Sequence, residues 1–249
     1  MSKSSSTSGQ ETASPTPSSQ QEQIIKWFDK TYQNKGERYL RKVDAYRVFL
    51  SFLAINPADK LLDVACGLGR LLQAADDYKC QLTGVDISSV AVEKTKARLP
   101  HARVQQANAE SLPFDDNSFS VITCLGSLER MLNQDSVLQE LRRVGKADAR
   151  YCILVRNSQT LIWKWFKQAL GMRNAEGNQG AKSLIEWTEL FKKNGFEVID
   201  VIPDQYPLQR KKYLLSFGLK RPDPMAIIKN NKPIEGTGKF IFKLAKAKA

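Results

Sequence analysis

From Lys60 onward the chain alternates between two hydrophobic rhythms. Short apolar runs at 60–65, 81–85, 102–106, 119–124 and 150–155 have the length and composition of strands buried on both faces. Between them, 69–78, 88–99 and 134–144 carry helical patterns, while a polar loop ending Phe114-Asp115-Asp116-Asn117 joins the third and fourth runs. Strands alternating with helices predict an α/β fold, a Rossmann-like doubly wound and mostly parallel sheet. Two helices, about 21–33 and 37–54, are expected before it. In the second, Tyr39, Val43, Tyr46, Leu50 and Leu53 form one apolar stripe, and Asn56-Pro57 stops it. After it come a helix over 183–194 closed by Asn194-Gly195 and a strand from Phe196 to Ile202. Lys239 to Leu244 is expected as a last strand, antiparallel and at the sheet edge. The segments 157–182 and 204–236 fit no repeating unit and are expected as insertions.

Composition refines this plan without changing it. The chain has 249 residues, 42% hydrophobic and 26% charged, enough to bury one large core of ordinary soluble character. Residues 1–20 are Ser, Thr, Pro and Gln with almost nothing apolar, so they are expected to stay disordered, leaving one domain over 21–249. That tail has neither the apolar stretch of a secretory signal nor the arginines of a transit peptide, and no apolar run approaches the roughly 18 residues a membrane span takes. The four cysteines, Cys66, Cys80, Cys124 and Cys152, fall in or beside predicted strands with no CxxC pair. That pattern points to reduced thiols in a cytoplasmic compartment, with no disulfide framework and no metal site. The single histidine, His101, follows Pro100 in a predicted loop and is expected at the surface.

The net charge of +12 is uneven: from Pro203 on there are eleven Lys/Arg and three Asp/Glu, a net of +8. Such a segment suits nucleic acid, anionic lipid or an acidic substrate, and equally a plain solvated surface.

The strongest candidate chemistry lies in Leu61-Leu62-Asp63-Val64-Ala65-Cys66-Gly67-Leu68-Gly69-Arg70, where a predicted strand runs through a small-residue turn into a helix. Small residues let backbone approach a ligand, and free amides at the helix start favour polar or anionic groups. Seventeen residues beyond Gly69, Asp86 stands at the end of the second predicted strand, where a carboxylate accepts from both ribose hydroxyls of an adenine nucleoside. A nicotinamide dinucleotide would also use such an acid, but its fingerprint needs a third glycine where this chain has Leu72.

A third block, Ala107-Asn108-Ala109-Glu110-Ser111-Leu112-Pro113-Phe114 followed by Asp115-Asp116-Asn117, completes a pattern. Together the three blocks resemble the class I methyltransferases that use S-adenosylmethionine (SAM), in the branch containing the ubiquinone/menaquinone C-methyltransferases. The resemblance covers residues 57–156. It implies the class I methyltransferase fold with SAM as cofactor, and it makes 21–56 lid helices, with Tyr32 as a lid residue. Carried over by position, it implies that Asp63 orients the glycine turn and the cofactor's amino group. Ala65, Cys66, Gly67 and Gly69 would line the methionine and ribose parts, and Asp86 would hold the ribose hydroxyls. Ile87 would pack on the adenine, Asn108 and Ala109 would meet its polar edge, and Cys124 and Leu125 would flank the sulfonium. The chain departs from the pattern at Ala65, Asn108, Ser120 and Arg130.

The acceptor is narrowed by what the sequence lacks. Nucleic-acid amino methylation usually carries Asn/Asp-Pro-Pro-Tyr/Phe after the fourth strand, where this chain has Thr123-Cys124-Leu125-Gly126-Ser127. A Pro-Cys nucleophile and the paired glutamates of arginine methylation are absent too. A small, hydrophobic or lipid-linked acceptor remains, with Glu129 as the candidate general base. The aromatic and lysine-rich segments 161–170 and 206–217 suit peripheral membrane contact, a greasy pocket wall, or lid core beneath a basic surface. Two alternatives stay open: RNA or protein methylation using the basic C-terminal segment, and SAM binding without transfer.

Overall fold

A computed structural model describes residues 19–160, 180–206 and 237–247. The tail before Ser19, the segments 161–170 and 207–217, and most of both expected insertions lie outside the described residues.

Seven strands form one sheet: β1 (Lys60–Val64), β2 (Gln81–Asp86), β3 (Arg103–Gln106), β4 (Phe119–Leu125), β5 (Gly145–Arg156), β6 (Phe196–Pro203) and β7 (Lys239–Lys246). Their spatial order is β3-β2-β1-β4-β5-β7-β6. The first five run parallel, and β7 runs antiparallel to both β5 and β6. The helices are α1 (Ser19–Asn34), α2 (Arg47–Phe52), α3 (Arg70–Ala75), α4 (Ser89–Arg98), α5 (Gln134–Val144) and α6 (Leu184–Lys193). The expected helix over 69–78 therefore ends at Ala75, and a 3-10 turn completes it over Asp76–Tyr78.

Local chemistry explains the starts of the helices. Ser88 accepts from the Ala91 amide at 3.2 Å and Asn133 from the Ser136 amide at 3.0 Å, capping α4 and α5. Ser183 and Glu186 form a reciprocal capping box on α6, an arrangement worth about 1 kcal/mol. Because strand side chains alternate, Leu61, Val121 and Leu154 face one apolar layer, with Phe49, Leu50 and Leu72. Leu62, Ile122 and Ile153 face the other, with Leu141, Trp187 and Phe191. Both faces of the sheet are covered, which is why the strands read as unbroken apolar runs.

Two expectations are corrected. The helix expected over 37–54 is broken into a 3-10 turn at Gly36–Tyr39, another at Val43–Tyr46, and α2, with Leu40 and Lys42 extended. At the break Arg41 forks onto the Asp204 carboxylate, Nη1 to Oδ1 at 2.9 Å and Nη2 to Oδ2, and lies 4.8 Å from the Tyr206 ring centroid. A bidentate charged pair outweighs the few tenths of a kcal/mol per residue that helix propensity supplies. The last strand, β7, is not at the edge but between β5 and β6. Phe240, Ile241, Phe242 and Leu244 are all buried, which takes cover on both faces and a neighbour on each side. Its place leaves β6 as the edge, with Ile199 exposed.

Candidate cofactor site

The sheet order reverses between β1 and β4, and ligands of open α/β sheets bind at the carboxyl ends beside such a switch point. β1 ends at Val64, and the chain turns through Ala65 (φ 59°), Gly67 (φ 53°) and Gly69 (φ 68°) into α3. Asp86, at the end of β2, clamps this turn. Its Oδ2 accepts from the Gly67 amide at 2.7 Å and its Oδ1 from the Ser88 amide at 2.9 Å. Thr95 Oγ1 donates to the Gly67 carbonyl at 2.9 Å. Burial raises the Asp86 carboxyl to about 6, although the Ser88 and Gly67 amides pull it down.

Asp63 is buried within β1. Its Oδ1 accepts from Thr123 Oγ1 of β4 at 2.7 Å. Burial pushes it to about 7, with Thr123 opposing and the Asp86 charge adding to the rise.

The place of the missing third glycine is explained here. Leu72 of α3 lies against Gly84 of β2, where a Cβ would come within 2.8 Å of Leu72 Cδ1 and 3.0 Å of Cys66 Sγ. The close helix–strand contact is made by a glycine on the strand instead of one on the helix.

A cleft of about 630 Å³, counting its open mouth, lies over these strand ends. Ala65, Asp86, Ile87, Asn108 and Ala109 line it, and Tyr32 closes it from above. Other residues singled out in the sequence lie elsewhere. Cys66 turns into the core beside Gly84, its thiol raised well above the usual range by burial. Cys124 is fully buried in β4, Leu125 packs on the core, and Gly67 contributes backbone beneath Tyr32.

The roof is α1. Gln21, Ile24, Phe28 and Tyr32 recur at helical spacing and face the cleft. Asp29 Oδ1 accepts from the Ser88 hydroxyl, and Lys94 Nζ donates to the Tyr32 carbonyl at 2.9 Å, tying α1 to α4. A Cβ on Gly67 would lie 2.9 Å from the Tyr32 hydroxyl oxygen, so the roof rests on the turn itself.

The residues present fit a nucleoside. Asp86 lines the cleft, and a carboxylate's two oxygens offer about four acceptor positions, so beside the backbone amides they hold there is capacity for a ribose hydroxyl. Val85, Ile87 and Ala109 supply an apolar wall for a base.

Comparison with known proteins agrees. Residues 62–153 match the family described as methyltransferase domain. The chain is 30% identical over 179 residues to the demethylmenaquinone methyltransferase of Symbiobacterium thermophilum, covering 61% of this chain and 70% of that protein. The chain belongs to the class I SAM-dependent methyltransferases.

An uncharacterized methyltransferase of Bacillus subtilis, YcgJ, is 27% identical over 165 residues, covering 64% of this chain and 65% of that one. Of further curated quinone methyltransferases the chain spans about half the length. The fold is shared with geranyl diphosphate C-methyltransferase from Streptomyces coelicolor, solved with Mg2+, geranyl diphosphate and S-adenosyl-L-homocysteine. That structure has a TM-score of 0.65 and 16% identity, covering 94% of this chain and all of the other.

The methyltransferase's departures from its family pattern separate by place. Ser120 sits at the far end of β4, where its hydroxyl donates to Asp59 at 2.8 Å and accepts from the Lys60 amide at 3.0 Å. It has no access to the cleft. Arg130 does line the cleft, its guanidinium 5.9 Å from the Trp27 ring centroid of α1. Asn108 Oδ1 accepts from the Glu110 amide at 3.1 Å, an Asx turn that shapes the loop after β3. His101 is exposed and pairs with Asp76 at 2.9 Å. Glu129, in the 3-10 turn Leu128–Arg130 just past β4, is 1% exposed, and among the described residues neither carboxyl oxygen has a hydrogen-bond partner.

The sequence alone missed Gln21, Ile24, Phe28, Ser127, Met131 and Leu132 as cleft residues. The spacing of Gln21, Ile24, Phe28 and Tyr32 was a usable signal. The three after β4 gave none.

Proposed function

We propose that this methyltransferase transfers the methyl group of SAM to a small, hydrophobic or lipid-linked acceptor. The observation that carries the reading is the roof: α1 covers the cleft with Ile24, Phe28 and Tyr32, and Ser127, Arg130 and Met131 continue its lining past the end of β4. A thin acceptor suits such a roofed cleft better than a nucleic-acid duplex or a folded protein surface. The quinone methyltransferases among the relatives, whose names state that class of acceptor, support the same choice.

When bound, SAM supplies an electrophilic methyl on a sulfonium. The chain's own residues bind and orient. Asp86 would accept from the ribose hydroxyls, Ile87 and Ala109 would flank the base, and Asn108 would meet its polar edge. Tyr32 and Phe28 would exclude water, which matters because positioning supplies much of the acceleration in an in-line displacement.

Incubation with methyl-tritiated SAM and separate lipid, RNA and protein fractions tests this. Label is expected in the organic-soluble fraction. Label confined to RNA or protein would transfer the assignment to the basic C-terminal segment, and no label despite intact SAM binding would leave a binding protein.

A further inference from the structure

A second groove lies at the amino-terminal ends of the strands, opposite the cofactor cleft. Its origin is topological. The strand registers pair Lys60 with Gln81, Leu62 with Thr83 and Thr83 with Arg103, and paired side chains share a face. Lys60, Gln81, Thr83 and Arg103 therefore lie on the face of Leu62, which α5 and α6 cover farther along the sheet. A loop, not a helix, joins β3 to β4, so among the described residues no helix covers that face over the amino ends of β2 and β3. The gap is a groove of about 1500 Å³, counting its open mouth.

Three cations line it: Arg103 on β3, Lys60 on β1 and Lys146 on β5. Among the described residues none of them forms an ion pair, and Asp115 is the one carboxylate in the lining. His101, at one end, is held by Asp76. In the order β3-β2-β1-β4-β5 successive cations are two strands apart, which spaces their backbones about 10 Å from one another. One phosphate cannot reach all three, whereas a repeating polyanion can. Phe114 adds a second feature. Its half-buried ring meets Phe119 edge to face at 4.9 Å, and the Arg103 guanidinium lies 5.3 Å from its centroid. A guanidinium backed by a ring is a surface on which a nucleobase stacks, and an acidic peptide has no base to place there.

We propose that this groove binds single-stranded nucleic acid, with phosphates against Lys60, Arg103 and Lys146 and a base stacked on the Arg103–Phe114 pair. A duplex offers no free base face for that stack. Groove and cleft occupy opposite ends of the strands, so the strand is held as a ligand and not as the methyl acceptor. The proposal stands apart from the choice of acceptor.

Fluorescence anisotropy on the full chain tests this with two probes, a labelled oligouridylate of about twelve nucleotides and a polyglutamate peptide of the same length. The oligouridylate should bind at about 50 mM salt and weaken steeply as salt is added. Changing Lys60→Gln, Arg103→Gln and Lys146→Gln together should lower its affinity at least about tenfold and make the slope of log affinity against log salt shallower by about 2, the loss of three phosphate contacts. Phe114→Leu keeps apolar bulk against Phe119 and should weaken the oligouridylate about fivefold while leaving polyglutamate unchanged. Circular dichroism checks that each variant is folded. Should the triple variant unfold, Lys60→Gln alone, at an exposed position, should make the slope shallower by about 0.7. No binding by the parent chain would overturn the proposal. So would binding that the cation substitutions leave unaltered, which would belong to another basic surface such as the segment from Pro203 on. Polyglutamate bound as tightly as the oligouridylate, with no effect of Phe114→Leu, would make the groove a docking surface for an acidic protein and overturn the proposal as well.

Discussion

At the ends of β1 and β2, the polar groups of the glycine turn find partners close by in the fold. At the end of β4, the Glu129 carboxyl has no hydrogen-bond partner among the described residues. Asp86 holds the Gly67 and Ser88 amides, Thr95 holds the Gly67 carbonyl, and Asn108 closes its own loop on Glu110. Glu129 is buried, and among the described residues neither of its carboxyl oxygens has a hydrogen-bond partner. The contrast separates a turn whose polar groups are satisfied by the fold from a buried carboxyl that the described residues leave without a hydrogen bond.

The largest effect should come from breaking the built half. Asp86→Ala removes the clamp on the turn and the proposed ribose contact, and calorimetry should show SAM affinity falling about 10- to 100-fold, roughly 1.5–3 kcal/mol. Unchanged affinity would remove Asp86 from the site. The parent protein should show a matching pH dependence. Hydroxyl donors favour the charged carboxylate, so binding should lower the Asp86 pKa from its ligand-free value of about 6. Affinity is then steady above that pH and weakens below it, by up to about tenfold per unit.

A smaller effect is expected at the roof. Tyr32→Ala opens the space above Gly67 and should weaken SAM binding or slow turnover about five- to tenfold while circular dichroism stays unchanged. If neither binding nor turnover changes, α1 is packing and not a lid. The smallest effect sharpens the comparison. Ala65 holds a left-handed conformation (φ 59°) that costs a non-glycine residue about 1–2 kcal/mol. Ala65→Gly relieves this but adds about 0.5–1 kcal/mol of unfolded-state entropy, so denaturant unfolding should show a net gain of about 0.5–1 kcal/mol. A net loss would mean that the alanine methyl packs usefully against the cleft, and that the turn stores no strain.

Much of the cofactor half was legible in the chain. Asp63, the Ala65–Gly69 turn and Asp86 lie within one strand–turn–helix–strand unit, whose periodicity and turn chemistry act over a few residues. The helical patterns at 88–99, 134–144 and 183–194 were legible for the same reason, and the helices run over Ser89–Arg98, Gln134–Val144 and Leu184–Lys193. The side-chain directions were less so: Cys66 sits in the middle of the motif yet faces the core, because Gly84 opens room for it on the neighbouring strand.

The order of strands and helices, the parallel core, and the three motif blocks at strand ends are therefore properties that the sequence determined by itself, through local pattern and the need to bury apolar runs. The tertiary structure alone decided the rest. It broke the helix over 37–54 by pairing Arg41 with Asp204, 163 residues away, and it placed β7 between β5 and β6, where Ile241 on one face and Phe240, Phe242 and Leu244 on the other find cover. It also brought Lys239 to the tip of β4, near Gly126. Such pairings depend on which strand ends meet, and no spacing along the chain records a meeting between residues so far apart.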